Sequence, residues 1–186
     1  MIDTRALRAA LGAALLLGVV MTFGDYVWAT WHVPHRVAYG IVHGAVMCLC
    51  IGAVIGARLR RVGAGALGGP LIGVTAAGAF YLLAGVMGMR AMLPAWMLFW
   101  ILFALLQQRM LSAETVPRAL ARGAVAALLS GAAFYAISGI WTNHAPGGPD
   151  YPVNLVSWSF AFLPGFLTLF WFTRPQTRPN QWRLRN

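Results

Sequence analysis

Asp25 and His43 are the residues of this 186-residue chain whose types and positions best suit chemistry. Asp25 sits in an apolar run from about Ala6 to Thr30, and His43 in the next, from about Val37 to Leu59. A carboxylate within hydrocarbon costs about 3 kcal/mol on insertion scales, so it needs a partner or a purpose. Asp25 precedes Trp31 by six residues, roughly 9 Å of helix, and His43 lies at a similar depth after Val37. The turn Trp31-His32-Val33-Pro34-His35-Arg36 is short, and Pro34 disfavours helix in the residue before it. The two runs should therefore be antiparallel neighbours, which makes an Asp25–His43 contact reasonable. Such a site could hold a ligand head group or pass a proton, because imidazole titrates near neutrality. The plain alternatives are a satisfied polar pair, or Asp25 reaching up to Arg36.

Tyr81, Tyr135, Ser138, Asn154 and Ser157 fall in the same outer halves of their runs. With Asp25 and His43 they make the expected ligand-binding set, lining one pocket. Hydrogen bonding between helices accounts for them nearly as well. Other chemistry is thin. His32 and His35 are spaced for one helical face, but Pro34 lies between them and no Glu or Cys is close enough to complete a site. No metal, haem or other cofactor is expected. Cys48 and Cys50 point about 200° apart on a helix, so they read as buried thiols that do not bridge. There is no Ser–His–acid set, no His–Glu pair on one helix and no phosphate loop. An enzyme using His43 and Asp25 as acid and base would lack a nucleophile, and no catalytic residue is assigned.

The elements that must position these residues follow from composition. The chain is 60% hydrophobic and 10% charged, with mean hydropathy +0.70. A membrane span needs about 20 apolar residues. Six runs meet or approach that, at about 6–30, 37–59, 70–88, 93–106, 123–141 and 153–172. The expected fold is all-α: one polytopic membrane domain over 1–186 with six transmembrane helices. The first run reads as a retained helix, not a removed signal. All fourteen basic residues are Arg, and all but Arg36 and Arg90 collect near the N-terminus (Arg5, Arg8), around the second connection (Arg58, Arg60, Arg61), around the fourth (Arg109, Arg118, Arg122) or in the tail (Arg174, Arg178, Arg183, Arg185). Positive charge is retained on the cytoplasmic face, which puts both termini there. The absence of Lys, with much Ala and Gly, suggests a coding bias toward GC; the expected location is a bacterial inner membrane. The net charge of +10 serves orientation and anionic lipid, not nucleic acid, with Arg58, Arg60 and Arg61 as the head-group site.

The glycine-rich segment 60–69 reads as a flexible loop, and the polar connection 112–122 as a short interfacial helix. Pro164 is expected to kink the sixth run. Ala79-Phe80-Tyr81 with Gly85 echoes Ala133-Phe134-Tyr135 with Gly139, either a duplicated hairpin or chance likeness.

The layout resembles the insulin-induced gene (Insig) family of sterol-sensing membrane proteins and its bacterial homologues. The resemblance rests on six spans, the turn Trp31-His32-Val33-Pro34, an Arg-ended second span, and Leu163-Pro164. The family's acidic-Arg-Ser signal after span four is missing; Gln107-Gln108-Arg109 stands there. The resemblance implies a lipid or sterol-like ligand in a cavity among the spans, no catalysis, and self-association. The expected function is a non-enzymatic membrane protein binding a lipid-like or sterol-like ligand, or a membrane partner, in a cleft between helices. A small transporter or channel, and an accessory subunit of a larger membrane complex, are the alternatives. The expected partners are membrane lipids, with a second copy or a membrane-complex subunit beside them.

Overall fold

The structure, a computed structural model, describes residues 4–31, 34–111, 114–142 and 150–171, without the side chains of 138–142. His32, Val33, Ser112, the loop 143–149 and the tail from Phe172 lie outside the described residues, as does the Ser138 side chain.

Among the described residues the chain is helical apart from short connections, with no strand. Six α-helices follow one another: α1 (Thr4–Thr30), α2 (Arg36–Arg58), α3 (Val62–Met87), α4 (Met92–Leu111), α5 (Val116–Thr142) and α6 (Tyr151–Trp171), with one 3-10 turn at Gly88–Ala91. Five stretches are long and apolar enough to cross a membrane by length and composition, the third being Val62–Leu111, which contains both α3 and α4.

Neighbouring helices run antiparallel. Two ends can thus be named: the Trp31 end, where α1, α3 and α5 finish, and the Arg60 end, where α2 and α4 finish. Exposed apolar side chains are abundant: Leu67, Leu82 and Val86 are 77%, 83% and 91% exposed. A water-soluble fold would bury them; hydrocarbon does not require it.

The segment 60–69 is not a loop. α3 begins at Val62 and runs through Pro70, and the glycines serve close packing. A Cβ on Gly52 would lie 2.1 Å from the Gly65 carbonyl oxygen, and one on Gly65 would lie 2.0 Å from that of Gly52. The α2–α3 pair is therefore in backbone contact, which only glycine permits. The turn between them is tight. Arg60 takes the left-handed conformation (φ 58°), and Arg61 N donates to Gly56 O at 2.7 Å, closing the end of α2. The fourth connection is shorter than its composition suggests, because α5 starts at Val116. α6 runs as one helix through Pro164.

The core draws on all six helices, and its large aromatic side chains come from α4, α5 and α6. Trp96 packs on Phe99, Phe134 and Phe162, with ring centroids 4.9, 5.1 and 5.2 Å away. Trp100 presses on Gly165, where a Cβ would meet the indole at 2.1 Å. Trp96 Nε1 donates to Ser130 Oγ at 3.2 Å, and Ser130 donates onward to Ala161 O, so two buried polar groups are satisfied in series. α1 completes the ring mainly against α6, not α2. Gly18 lets α1 approach Ser159 and Leu155 of α6.

Candidate functional site

Asp25 faces α6. Its Oδ2 accepts a hydrogen bond from Trp158 Nε1 at 2.8 Å and a longer one from Asn154 Nδ2 at 3.4 Å. His43 lies on the other side of α1. Its ring covers Gly24, and Nε2 lies 3.3 Å from Met21 Sδ. The expected Asp25–His43 pair is thus replaced by two separate arrangements, one on each flank of α1. The reason is angular: consecutive residues on a helix point about 100° apart. Gly24 faces α2, and so Asp25 faces α6. Nor does Asp25 reach Arg36, whose guanidinium sits 5.7 Å from the Trp28 ring.

The other expected ligand residues are not brought into one pocket either. Asn154 and Ser157 are buried on α6, and Asn154 joins Asp25. Tyr81 instead packs on Gly40 and donates to Arg36 O at 3.2 Å, tying α3 to the start of α2. Tyr135, on α5, is about half exposed beside Phe134. At the Arg60 end, Arg60 and Arg61 are exposed on the α2–α3 turn, and Arg58 lies over the Phe170 ring at 5.1 Å.

Beside Asp25 the α1–α6 junction opens into a groove of about 440 Å³ at the Trp31 end. Val19, Thr22, Phe23 and Tyr26 of α1 line it, with Tyr151, Pro152 and Leu155 of α6. Tyr26 and Tyr151 meet edge to face at 5.7 Å at its rim. Asp150 steadies that rim, since its Oδ1 accepts from Val153 N at 3.1 Å at the start of α6. The Thr22 hydroxyl is buried and has no hydrogen-bond partner among the described residues. A buried hydroxyl left unpaired costs about 1–3 kcal/mol. The wall is otherwise apolar.

Trp158 and Thr22 were not foreseen from sequence, since a Trp in an apolar run and a Thr in a helix carry no distinguishing signal. A third group, also unforeseen, lies at the Arg60 end. Arg122 is 5% exposed and forms a two-pronged ion pair with Glu114. It also donates to Gln107 Oε1 and, at 3.4 Å, to the Leu169 and Ala104 carbonyls. The signal available was Glu114 itself, the sole acid in a basic connection.

Replacing Trp158 by Phe is expected to remove the principal donor to Asp25 while keeping most of the ring volume. The loss should be about 1.5–3 kcal/mol, the range for hydrogen bonds to charged groups. It is read as a lower melting temperature in detergent. Combining Trp158→Phe with Asp25→Leu should recover much of it.

The chain matches no family model, no curated protein and no solved structure.

Proposed function

We propose that this chain is an integral membrane protein that holds a lipid-like molecule in the groove between α1 and α6, without catalysis. One observation carries the reading: an apolar groove between α1 and α6 with Tyr26 and Tyr151 at its rim. Ligand sites are concave and mostly apolar, with few polar groups that fix orientation. Thr22 lies eight residues below Thr30, roughly 12 Å along the helix, so the groove runs down one leaflet. A single acyl or isoprenoid chain, or one edge of a sterol-like ring system, suits that length. It is also the role that the Insig resemblance implies.

We read Val62–Leu111 as two spans, because Gly68 of α3 faces Leu106 of α4 and the pair is antiparallel. That makes six crossings with both termini on one side. Among the described residues, Arg5, Arg8, Arg60, Arg61, Arg109 and Arg118 are exposed at the Arg60 end, against Arg36 and Arg90 at the other. The Arg60 end is accordingly cytoplasmic. Its arginines meet anionic head groups, with Arg60 and Arg61 at the tip of the α2–α3 turn and Arg58 behind them.

Transport is the weaker reading. A polar path would have to join Asp25 and Asn154 at one end to Gln107 and Arg122 at the other. The buried layer of Trp96, Phe99, Trp100 and Phe162 lies between them.

Filling the groove tests the proposal. Protein purified in mild detergent should carry copurifying lipid in native mass spectrometry, and a photoactivatable lipid should label α1 and α6 peptides. Leu155→Trp should abolish both signals while leaving the melting temperature of the lipid-free protein within a few degrees. Equal labelling of every helix, unchanged by Leu155→Trp, would remove the groove as a site.

A further inference from the structure

The flank of α1 away from the groove gathers side chains of a different kind. Met21 Sδ stands 3.3 Å from His43 Nε2 across the α1–α2 seam. The imidazole is fixed on two sides. Gly24 lies beneath it, where any Cβ would meet Cε1 at 2.1 Å, and Tyr39 stacks on it at 5.8 Å with planes 7° apart. Tyr39 is itself held, because its hydroxyl donates to Gly24 O at 2.7 Å. Met47 follows His43 by four residues, on the same face of α2 one turn deeper, and is half-buried against the core.

We propose that Met21 and His43 form an intramembrane Cu(I) site, with Met47 as the third donor. The separation suits one ion. With metal–nitrogen and metal–sulfur bonds of about 2.0 and 2.3 Å, a 3.3 Å gap subtends roughly 100° at the metal. The donor types choose the ion. Thioethers favour Cu(I), whereas Mg²⁺, Ca²⁺ and Mn²⁺ prefer oxygen. Charge chooses it again, since all three donors are neutral. The Born cost of an uncompensated ion in an apolar medium rises with the square of its charge, so a monocation is held where a dication is not. Among the described residues no three His, Cys, Asp or Glu cluster in a way that could hold a metal, so a hard dication finds no rival site there. Coordination through Nε2 leaves the imidazole proton on Nδ1.

A second feature at the same end of the bundle points to the same ion. Met87, Met89 and Met92 crowd the α3–α4 turn, and the first two are 42% and 74% exposed. Tyr81, six residues before Met87, is bonded to the start of α2, so this turn follows the part of α3 that adjoins α2. It offers thioethers where an incoming Cu(I) would first meet the protein.

The full chain, purified in detergent without oxygen, is expected to take one equivalent of Cu(I) from a coloured Cu(I) chelator, and Ag(I) should compete for it. Met21→Leu, nearly isosteric, and His43→Gln should each weaken binding at least tenfold, while Met110→Leu leaves it unchanged. Removing even residues that only support a metal ligand costs about 10–100-fold. X-ray absorption of the wild-type complex should show nitrogen and sulfur in one shell. The proposal fails if the chelator keeps all the Cu(I), or if Met21→Leu retains wild-type affinity. It fails equally if the shell is sulfur only, which would put the ion at Met87, Met89 and Met92. The absorption result stands even if His43→Gln does not fold.

Discussion

Arg122→Ala is expected to be among the most damaging single substitutions in this chain, lowering stability by about 3–5 kcal/mol, the cost of stripping one partner from a buried ion pair. Arg122 is the hub of the Arg60 end. It neutralises Glu114, binds Gln107, and reaches the Leu169 carbonyl in the last turn of α6, where a cation is favoured by the helix dipole. Gln107 Nε2 shares the same carbonyl at 3.3 Å, and Gln108 Nε2 donates to Glu114 O at 2.9 Å. Removing the guanidinium therefore leaves a carboxylate, an amide and a helix end without their common partner. Arg122→Lys should recover only part of the loss, because one ammonium cannot reproduce the planar fork. A triple change, Arg122→Met with Glu114→Leu and Gln107→Leu, should recover most of it. Melting followed by circular dichroism and size exclusion in detergent reads all of these variants. A fall below about 1 kcal/mol for Arg122→Ala would mean that the cluster is held by something other than its charge.

Gly65→Ala is expected to cost about 3 kcal/mol, the upper end of the overpacking range. The new methyl would lie 2.0 Å from the Gly52 carbonyl oxygen, an obstacle of backbone on backbone that no rotamer relieves. α2 and α3 must then separate along the seam where Gly52, Gly65 and Gly69 meet. Gly78→Ala on the same helix is the matched control. Nothing lies within 4 Å of that position, so only the intrinsic preference for alanine acts, worth about 0.5–1 kcal/mol in the opposite direction. Opposite signs for one chemical change on one helix would establish that the α2–α3 approach limits stability. Equal small effects would show that the helices relax apart at little cost.

The helices were legible because hydrocarbon demands long apolar runs. The spacing of Arg58, Arg60 and Arg61 also marked the end of α2 correctly. The segment 60–69 misled because glycine has two uses, chain flexibility and close packing, and composition does not separate them. The same holds for the site. Asp25 stood out by its cost in lipid, but its partner depended on which helix closes the ring. Sequence adjacency favoured α2. Gly18 and the indole of Trp158 favoured α6, and neither announces itself in a row of Ala, Leu and Phe. Met21 is just as silent, since a thioether reads as ordinary filling until an imidazole is found beside it.

The pairing of α1 with α6 also bears on biogenesis. Of the six helices α1 is translated first and α6 last, with about 120 residues between Thr30 and Tyr151. At about 5–20 residues per second, α1 waits roughly 6–24 s for its main companion. Throughout that interval Asp25 lacks the indole that later binds it. Until the ring shuts, the nascent chain thus carries a carboxylate without its final donors, a cost that only the last helix relieves.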